Sequence, residues 1–377
     1  MKIILFLGIF LHTLFLFAAE VAVPKLELMS WGKWDEGTFG VFSRGYAEIT
    51  LQSKEETFGG KIELLFSDSD LEASSTLPPT YDTSALEQAF QKTLGLKSLS
   101  VELKRLFQLP ISLAYFTGTT DTLGSGDVFS QYFGTHPIST PVRGYVYFFQ
   151  GILYEGMHTI GGTGIKVYTD KAFDKFWFSA YTYQDQYLGK GKYSSDFWFA
   201  ANLDTLKIET ILGVTYPSST YGIYRGGILF HYITPEGGEF FTQIGIPRWD
   251  PKIDKTFTAD LFYFLFEPRV QLGLFGVSLT FFWHPAYYEQ TPTEEEGITD
   301  LYFRLSYGKL PATRWKLGIE NGLRLNTREG EQISYRITPF YNLQATGIEW
   351  EFRLNFNLYP YKLNTLVEGF VGAKTSF

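Results

Sequence analysis

Polar and apolar positions alternate along most of this chain. In GIEWEFRLNFNLYP, Ile348, Trp350, Phe352, Leu354, Phe356 and Leu358 fall on one side, and Glu349, Glu351, Arg353, Asn355 and Asn357 on the other. In TRWKLGIENGLRLN the sides are Trp315, Leu317, Ile319, Leu323 and Leu325 against Arg314, Lys316, Gly318, Glu320 and Arg324. DLYFRLSYG repeats the pattern, with Leu301, Phe303, Leu305 and Tyr307 opposite Asp300, Tyr302, Arg304 and Ser306. A period of two with one wholly apolar side specifies β-strand rather than helix. The segments run about 9–13 residues, roughly twice an ordinary strand and the length of a tilted strand crossing a bilayer.

Two all-β architectures share this alternation. A secreted sandwich or propeller would turn the apolar side to a core. A transmembrane antiparallel β-barrel would turn it to lipid and keep the charged side inside. The charged second face on strand after strand favours the barrel. Trp350, Trp315 and Tyr307 near strand ends on the apolar side agree, because barrels carry aromatic girdles at the membrane interfaces.

Composition sharpens this picture. The chain has 377 residues, a formal charge of -8 and 18% aromatic residues, including 36 Phe and 25 Tyr. Mean hydropathy is nonetheless only -0.06. Aromatic richness without high hydropathy suits strands in which only alternate residues meet lipid. There is no cysteine, so neither disulfides nor cysteine-type metal sites are available. The acidic balance and the lack of a basic cluster argue against a nucleic-acid partner. The first residues, MKIILFLGIFLHTLFLFAAE, read as a secretory signal peptide over residues 1–19, with 20–377 as one barrel domain.

The chain ends LVEGFVGAKTSF, where Val367, Gly369, Val371, Ala373, Thr375 and Phe377 form the uncharged side of a last alternating strand. A terminal Phe377 on such a strand, with Val371 on the same side, resembles the assembly signal of bacterial outer-membrane proteins. The chain as a whole resembles the outer-membrane porins. The resemblance implies a place in the bacterial outer membrane, contact with its lipid, recognition of the last strand by the barrel-assembly machinery, passage of small hydrophilic solutes and homotrimers. No cofactor and no catalytic role are implied.

Barrels of this type alternate short turns with longer loops. Counted back from Phe377, PYKLN, TREGEQ, HPAYYEQTPTEEEG, RWDPKIDK, PSST and QYLGKGKYS lie at one end. QATG, GKLPA, EPR, TPEGG, LDT and DKAFD lie at the other. The count closes at about eighteen strands, with sixteen as the alternative, if KLELMSWG is the first strand and residues 118–160 are one long loop. Loops of that length are usually functional or disordered, and the seven aromatics between Phe129 and Phe149 argue against disorder.

A barrel of sixteen or more strands encloses water, so its chemistry is its lining. The polar sides predict Arg225, Arg304, Arg314, Lys316, Arg324, Arg336 and Arg353 on the inner wall, with Glu320, Glu349 and Glu351. The arginines form either a basic ladder that sets ion preference or one half of neutralising pairs. By the porin resemblance, residues 118–160 become the constriction loop, which includes Asp121, Asp127, Phe129 and Tyr132, with Asp121 and Asp127 facing the basic wall. An outer cap or a further hairpin are the alternatives for this segment. His231 falls beside Arg225 on the polar side, and no HExxH or GxSxG motif supports an enzyme. Three functions follow: a channel for small hydrophilic solutes, anion-favouring or sugar-selective; a non-conducting surface-binding barrel; or a transporter of lipophilic solutes. Asp68, Asp70 and Glu72 suit calcium, although a solvated loop explains them as well.

Overall fold

The computed structural model describes residues 19–35, 38–53, 57–68, 94–125, 156–169, 175–187, 191–216, 222–254, 258–283, 298–326 and 332–375. They form β1 (Ala19–Asp35), β2 (Thr38–Ser53), β3 (Phe58–Asp68), β4 (Leu94–Leu103), β5 (Ile111–Leu123), β6 (His158–Thr169), β7 (Phe176–Asp185), β8 (Tyr193–Leu203) and β9 (Leu206–Tyr216). The second half supplies β10 (Ile223–Ile233), β11 (Gly238–Trp249), β12 (Tyr263–Leu272), β13 (Phe275–Trp283), β14 (Ile298–Tyr307), β15 (Trp315–Asn326), β16 (Gln332–Ala345), β17 (Ile348–Tyr359) and β18 (Val367–Thr375). Each strand pairs antiparallel with the next. β1 meets β18 in a register running from Leu26↔Thr375 to Lys33↔Glu368, so the eighteen-stranded sheet closes on itself. Closure leaves no open edge, which lipid would not tolerate.

The two faces of this ring differ as the alternation requires. Outward side chains include Phe39, Val41, Leu212, Leu272, Phe275 and Leu354, each at least half exposed. A continuous apolar surface of this kind far exceeds the few hundred Å² a soluble monomer exposes. Aromatic pairs flank it near both rims: Trp34 against Phe39 and Tyr224 against Trp249 at one, and Tyr307 between Phe275 and Trp315 at the other.

The connections sort by length. Residues 69–93, 124–157, 250–262 and 284–297 join strands at the same rim, the long-loop rim. The opposite, short-turn rim has tight links such as residues 204–205, 234–237, 273–274 and 346–347. Three of these hold a glycine at positive φ, Gly237 (φ 85), Gly273 (φ 62) and Gly347 (φ 80), a left-handed conformation that other residues adopt only at a cost.

Three sequence expectations are corrected. EPR (267–269) is not a turn but lies inside β12, and the chain reverses at Gly273. Pro268 pairs with Phe240 on β11, and the β12–β13 pairing is interrupted at residues 267–268 without a change of register, the local gap that a residue without an N–H leaves in a ladder. Arg314 is not on the inner wall; it is exposed in the turn before β15, at φ 60. The segment 118–160 is not all loop, since residues 118–123 complete β5 and 158–160 begin β6, paired through Leu123↔His158. β1 begins at Ala19, which pairs with Ser53. Residues 1–18, Phe377, the loop carboxylates near Glu72, and Asp127, Phe129 and Tyr132 of the constriction expectation lie outside the described residues.

Candidate functional site in the barrel lumen

Alternation puts every second residue of each strand inside, and antiparallel register sets these residues side by side. Across β11 to β15, the pairs Glu239↔Arg269, Arg269↔Ser278, Ser278↔Arg304 and Arg304↔Glu320 make one lateral row of alternating charge. Arg269 donates from Nε to Glu239 at 2.7 Å and lies 3.6 Å from Glu267. Arg304 Nε is 3.3 Å from Glu320 Oε2. Arg353, reaching over from β17, donates to Glu320 at 2.8 Å and to Glu351 at 3.0 Å. Two inward rows toward the long-loop rim, Arg324 grips Asp300 with two bonds of 2.8 and 3.1 Å. Arg336 donates to the Tyr302 hydroxyl at 3.3 Å.

Of the ten residues expected on the wall, Arg314 lies in a turn, and the alternation places the other nine on the inward side: Arg225, Arg304, Lys316, Arg324, Arg336, Arg353, Glu320, Glu349 and Glu351. What they form is a paired wall more than a bare basic ladder. The carboxylates Glu239, Glu267 and Asp300, which the sequence reading did not single out, provide much of the pairing. The physical reason is burial: a guanidinium whose side chain is 1% exposed, as that of Arg353 is, persists only with its charge and its N–H groups matched. Lys316 differs, making no hydrogen bond or ion pair among the described residues. Glu349, toward the same rim, is 3.4 Å from Lys374.

On the facing wall, near the long-loop rim, Arg225 clamps Asp196 through Nε and Nη2, both at 2.6 Å, and donates to Thr215 at 2.8 Å. Tyr183 donates to Asp196 at 2.9 Å and its oxygen lies 2.7 Å from His158 Nε2. Asp121 belongs to this wall rather than to a loop facing the basic strands. It accepts from Lys166 on β6 at 2.8 Å and from Tyr181 on β7 at 2.9 Å. His231 is fully buried, 3.1 Å from Glu239.

The interior of β5 to β14 is also apolar to a degree the sequence reading missed. Phe116, Trp198, Ile211, Leu229, Phe241 and Phe282 are inward and at most 1% exposed. The stretch KFWFSAYTY, aromatic on both sides, resolves into Trp177, Tyr181 and Tyr183 inside and Phe176 and Phe178 outside. The ends of the β5–β6 connection turn into this half. Gly124 N–H donates to Glu209 on β9 at 3.2 Å, and Gln243 on β11 donates to the Gly124 carbonyl at 3.1 Å. Glu209 also accepts from Trp198 Nε1 at 2.8 Å. Leu123 and Met157, flanking the connection, are wholly buried. Since β9 and β11 lie four and six strands from β5, these contacts cross the inside of the ring.

Val371 faces outward and is 41% exposed. Among the described residues no group of three or more His, Asp or Glu is arranged to hold a metal.

No protein-family profile matches the sequence, and no curated protein matches it. Solved structures match over nearly the whole chain. With OpdL of Pseudomonas aeruginosa the identity is 8%, covering 96% of this chain and 99% of that one at a TM-score of 0.55. With OccK5 (OpdH) of Pseudomonas aeruginosa it is 10%, covering 94% and 98% at 0.53, and with OccAB2 of Acinetobacter baumannii 10%, covering 96% and 98% at 0.53. At such identity the likeness concerns architecture: this chain shares the fold of these barrels.

Proposed function

We propose that this protein is an outer-membrane channel through which small hydrophilic solutes diffuse passively. The observation that carries the reading is the inversion of the ring: apolar and aromatic outside, ionised inside, closed by β1–β18 pairing. Such a surface is stable only in lipid, and a ring of eighteen strands is too wide for its own side chains to fill. The likeness in fold to the Occ barrels supports it, as does the expected signal peptide. Solutes follow the charged wall of β14 to β18 and β1 to β4, continued at the short-turn rim by Arg269 and Ser278 on β12 and β13, because the rest of the opposite half is packed with apolar side chains and the ends of the β5–β6 connection. The described ends of that connection, Gly124–Ser125 and Gly156–Met157, narrow the passage on that side. Because most wall charges are paired, ion selectivity is weak along most of the passage.

The test is single-channel recording of the refolded mature chain in a planar bilayer, with reversal potentials in a salt gradient. A stable open conductance with modest selectivity is expected. A folded barrel that never conducts overturns the reading and turns the β5–β6 connection into a plug.

A further inference from the structure

We propose that the short-turn rim of the lumen holds a binding site for a small tetrahedral dianion of the phosphate or sulfate type. The site deepens the channel reading, on which it rests for its place along a solute's route. Its walls are Arg269 on β12, Arg304 on β14 and Lys316 on β15, around a cavity of about 200 Å³ that also meets Glu239, Ser278 and Ser306.

Charge is the first argument. Three cations, Arg269, Arg304 and Lys316, and one carboxylate, Glu239, line the cavity. Glu320 does not line it, and that carboxylate is shared between Arg304 and Arg353. Lys316 is the second. Among the described residues its ammonium has neither hydrogen bond nor ion pair, although it stands half-buried in a wall where the other cations are matched. Glu349 and Glu351 act on it only at a distance; a half-desolvated ammonium with no bonded partner is costly, and an anion in the cavity lowers that cost. Donor geometry is the third. The Ser278 hydroxyl is likewise unbonded among the described residues, and it lies in the row between the two guanidiniums. Guanidinium forks, an ammonium and hydroxyls lining one cavity suit an oxyanion that accepts from several directions, and three cationic donors suit a dianion better than a monocarboxylate.

The space itself is built by Gly276. It pairs with Ser306, which in turn pairs with Gly318, so two of three adjacent inward positions carry no side chain. A Cβ on Gly276 would come within 2.6 Å of the Ser306 hydroxyl and 2.8 Å of Gln271 Oε1.

Calorimetry of the folded, detergent-solubilised barrel tests the site without requiring conduction. Inorganic phosphate, titrated at a pH where it is a dianion, is expected to bind saturably, and sulfate to compete with it. Lys316→Gln should weaken phosphate by about tenfold or more, the usual effect of losing a charged hydrogen-bond partner. Lys316→Arg should restore most of the affinity, and Lys61→Gln, on the far wall, should leave it unchanged. Because Lys316 holds no partner in the wall, its replacement leaves folding intact, which heat-modified gel mobility verifies. Absence of saturable phosphate binding, equal affinity in Lys316→Gln, or acetate binding as tightly as phosphate each overturns the proposal. Planar-bilayer recording of the same preparation separates the two readings. Phosphate binding without conductance removes the channel and keeps the site, whereas conductance without phosphate binding does the reverse.

Discussion

Arg353 and Leu354 are adjacent in sequence and live in different solvents. Arg353 is 2% exposed, tied to Glu320 and Glu351, while Leu354 is 50% exposed on the outer belt. Truncating Arg353 takes a partner from two buried carboxylates, leaving Glu320 with Arg304 alone, and breaking a buried pair from one side costs about 3–5 kcal/mol. Arg353→Ala is therefore expected to lower the urea midpoint of the folded barrel strongly, read from the heat-modifiable gel band. Leu354→Arg should also destabilise, by about 2–4 kcal/mol if the position lies near the bilayer midplane, and the loss should be far smaller in detergent than in lipid vesicles. Equal losses in both media would place Leu354 away from lipid. Lys316→Gln, by contrast, should leave the midpoint unchanged, since no wall contact is lost.

At the scale of elements, the distinctive arrangement is the meeting of the β5–β6 connection with β9 and β11. Glu209 gathers two buried donors, the Trp198 ring N–H and the Gly124 amide. Glu209→Ala leaves both without that acceptor, and each buried unsatisfied donor costs about 1–3 kcal/mol. The measurable consequences are a lower denaturation midpoint and a changed Trp198 emission, isolated by comparison with a Trp198→Phe background. An unchanged midpoint would show that the connection does not depend on this carboxylate for its place inside the ring. Glu209→Gln keeps an acceptor oxygen and should lose less.

For the whole molecule, the prediction concerns which parts of the interior water reaches. The chain has no cysteine, so single cysteines report cleanly. Ser278→Cys and Ser306→Cys, on the wall of the polar cavity, should react quickly with a charged thiol reagent. Ala200→Cys and Leu229→Cys also face inward but sit in the packed half, at 0% and 1% exposure; they should react slowly. Leu212→Cys, on the outer belt at 57% exposure, should resist the charged reagent in lipid and react in detergent. Uniform reactivity of the four inward positions would refute the off-centre passage.

Much of this architecture is set by local pattern. The period of two in β14, β15 and β17, sustained over membrane-crossing lengths, specifies both the strand and its facing, because one slipped residue would put Arg353 in lipid and Leu354 in the lumen. The spacing of polar connections carries the strand number for the same reason: an even ring must alternate its turns between two rims. Pro268 shows where pattern misleads, since a proline flanked by charges resembles a turn until its pairing with Phe240 shows the strand running through it. What the chain's order cannot carry is partnership across strands. Arg353 is balanced by Glu320, and Arg225 by Asp196, residues 33 and 29 positions away; only closure and register bring them within bonding distance. The aromatic interior of β5 to β13 belongs to the same class, because alternation assigns a ring to a face but cannot say that the inner face there is packed instead of wet. That distinction arises when β9 and β11 bind the ends of the β5–β6 connection, and it is the tertiary structure that leaves Lys316 facing a cavity without a bonded partner among the described residues.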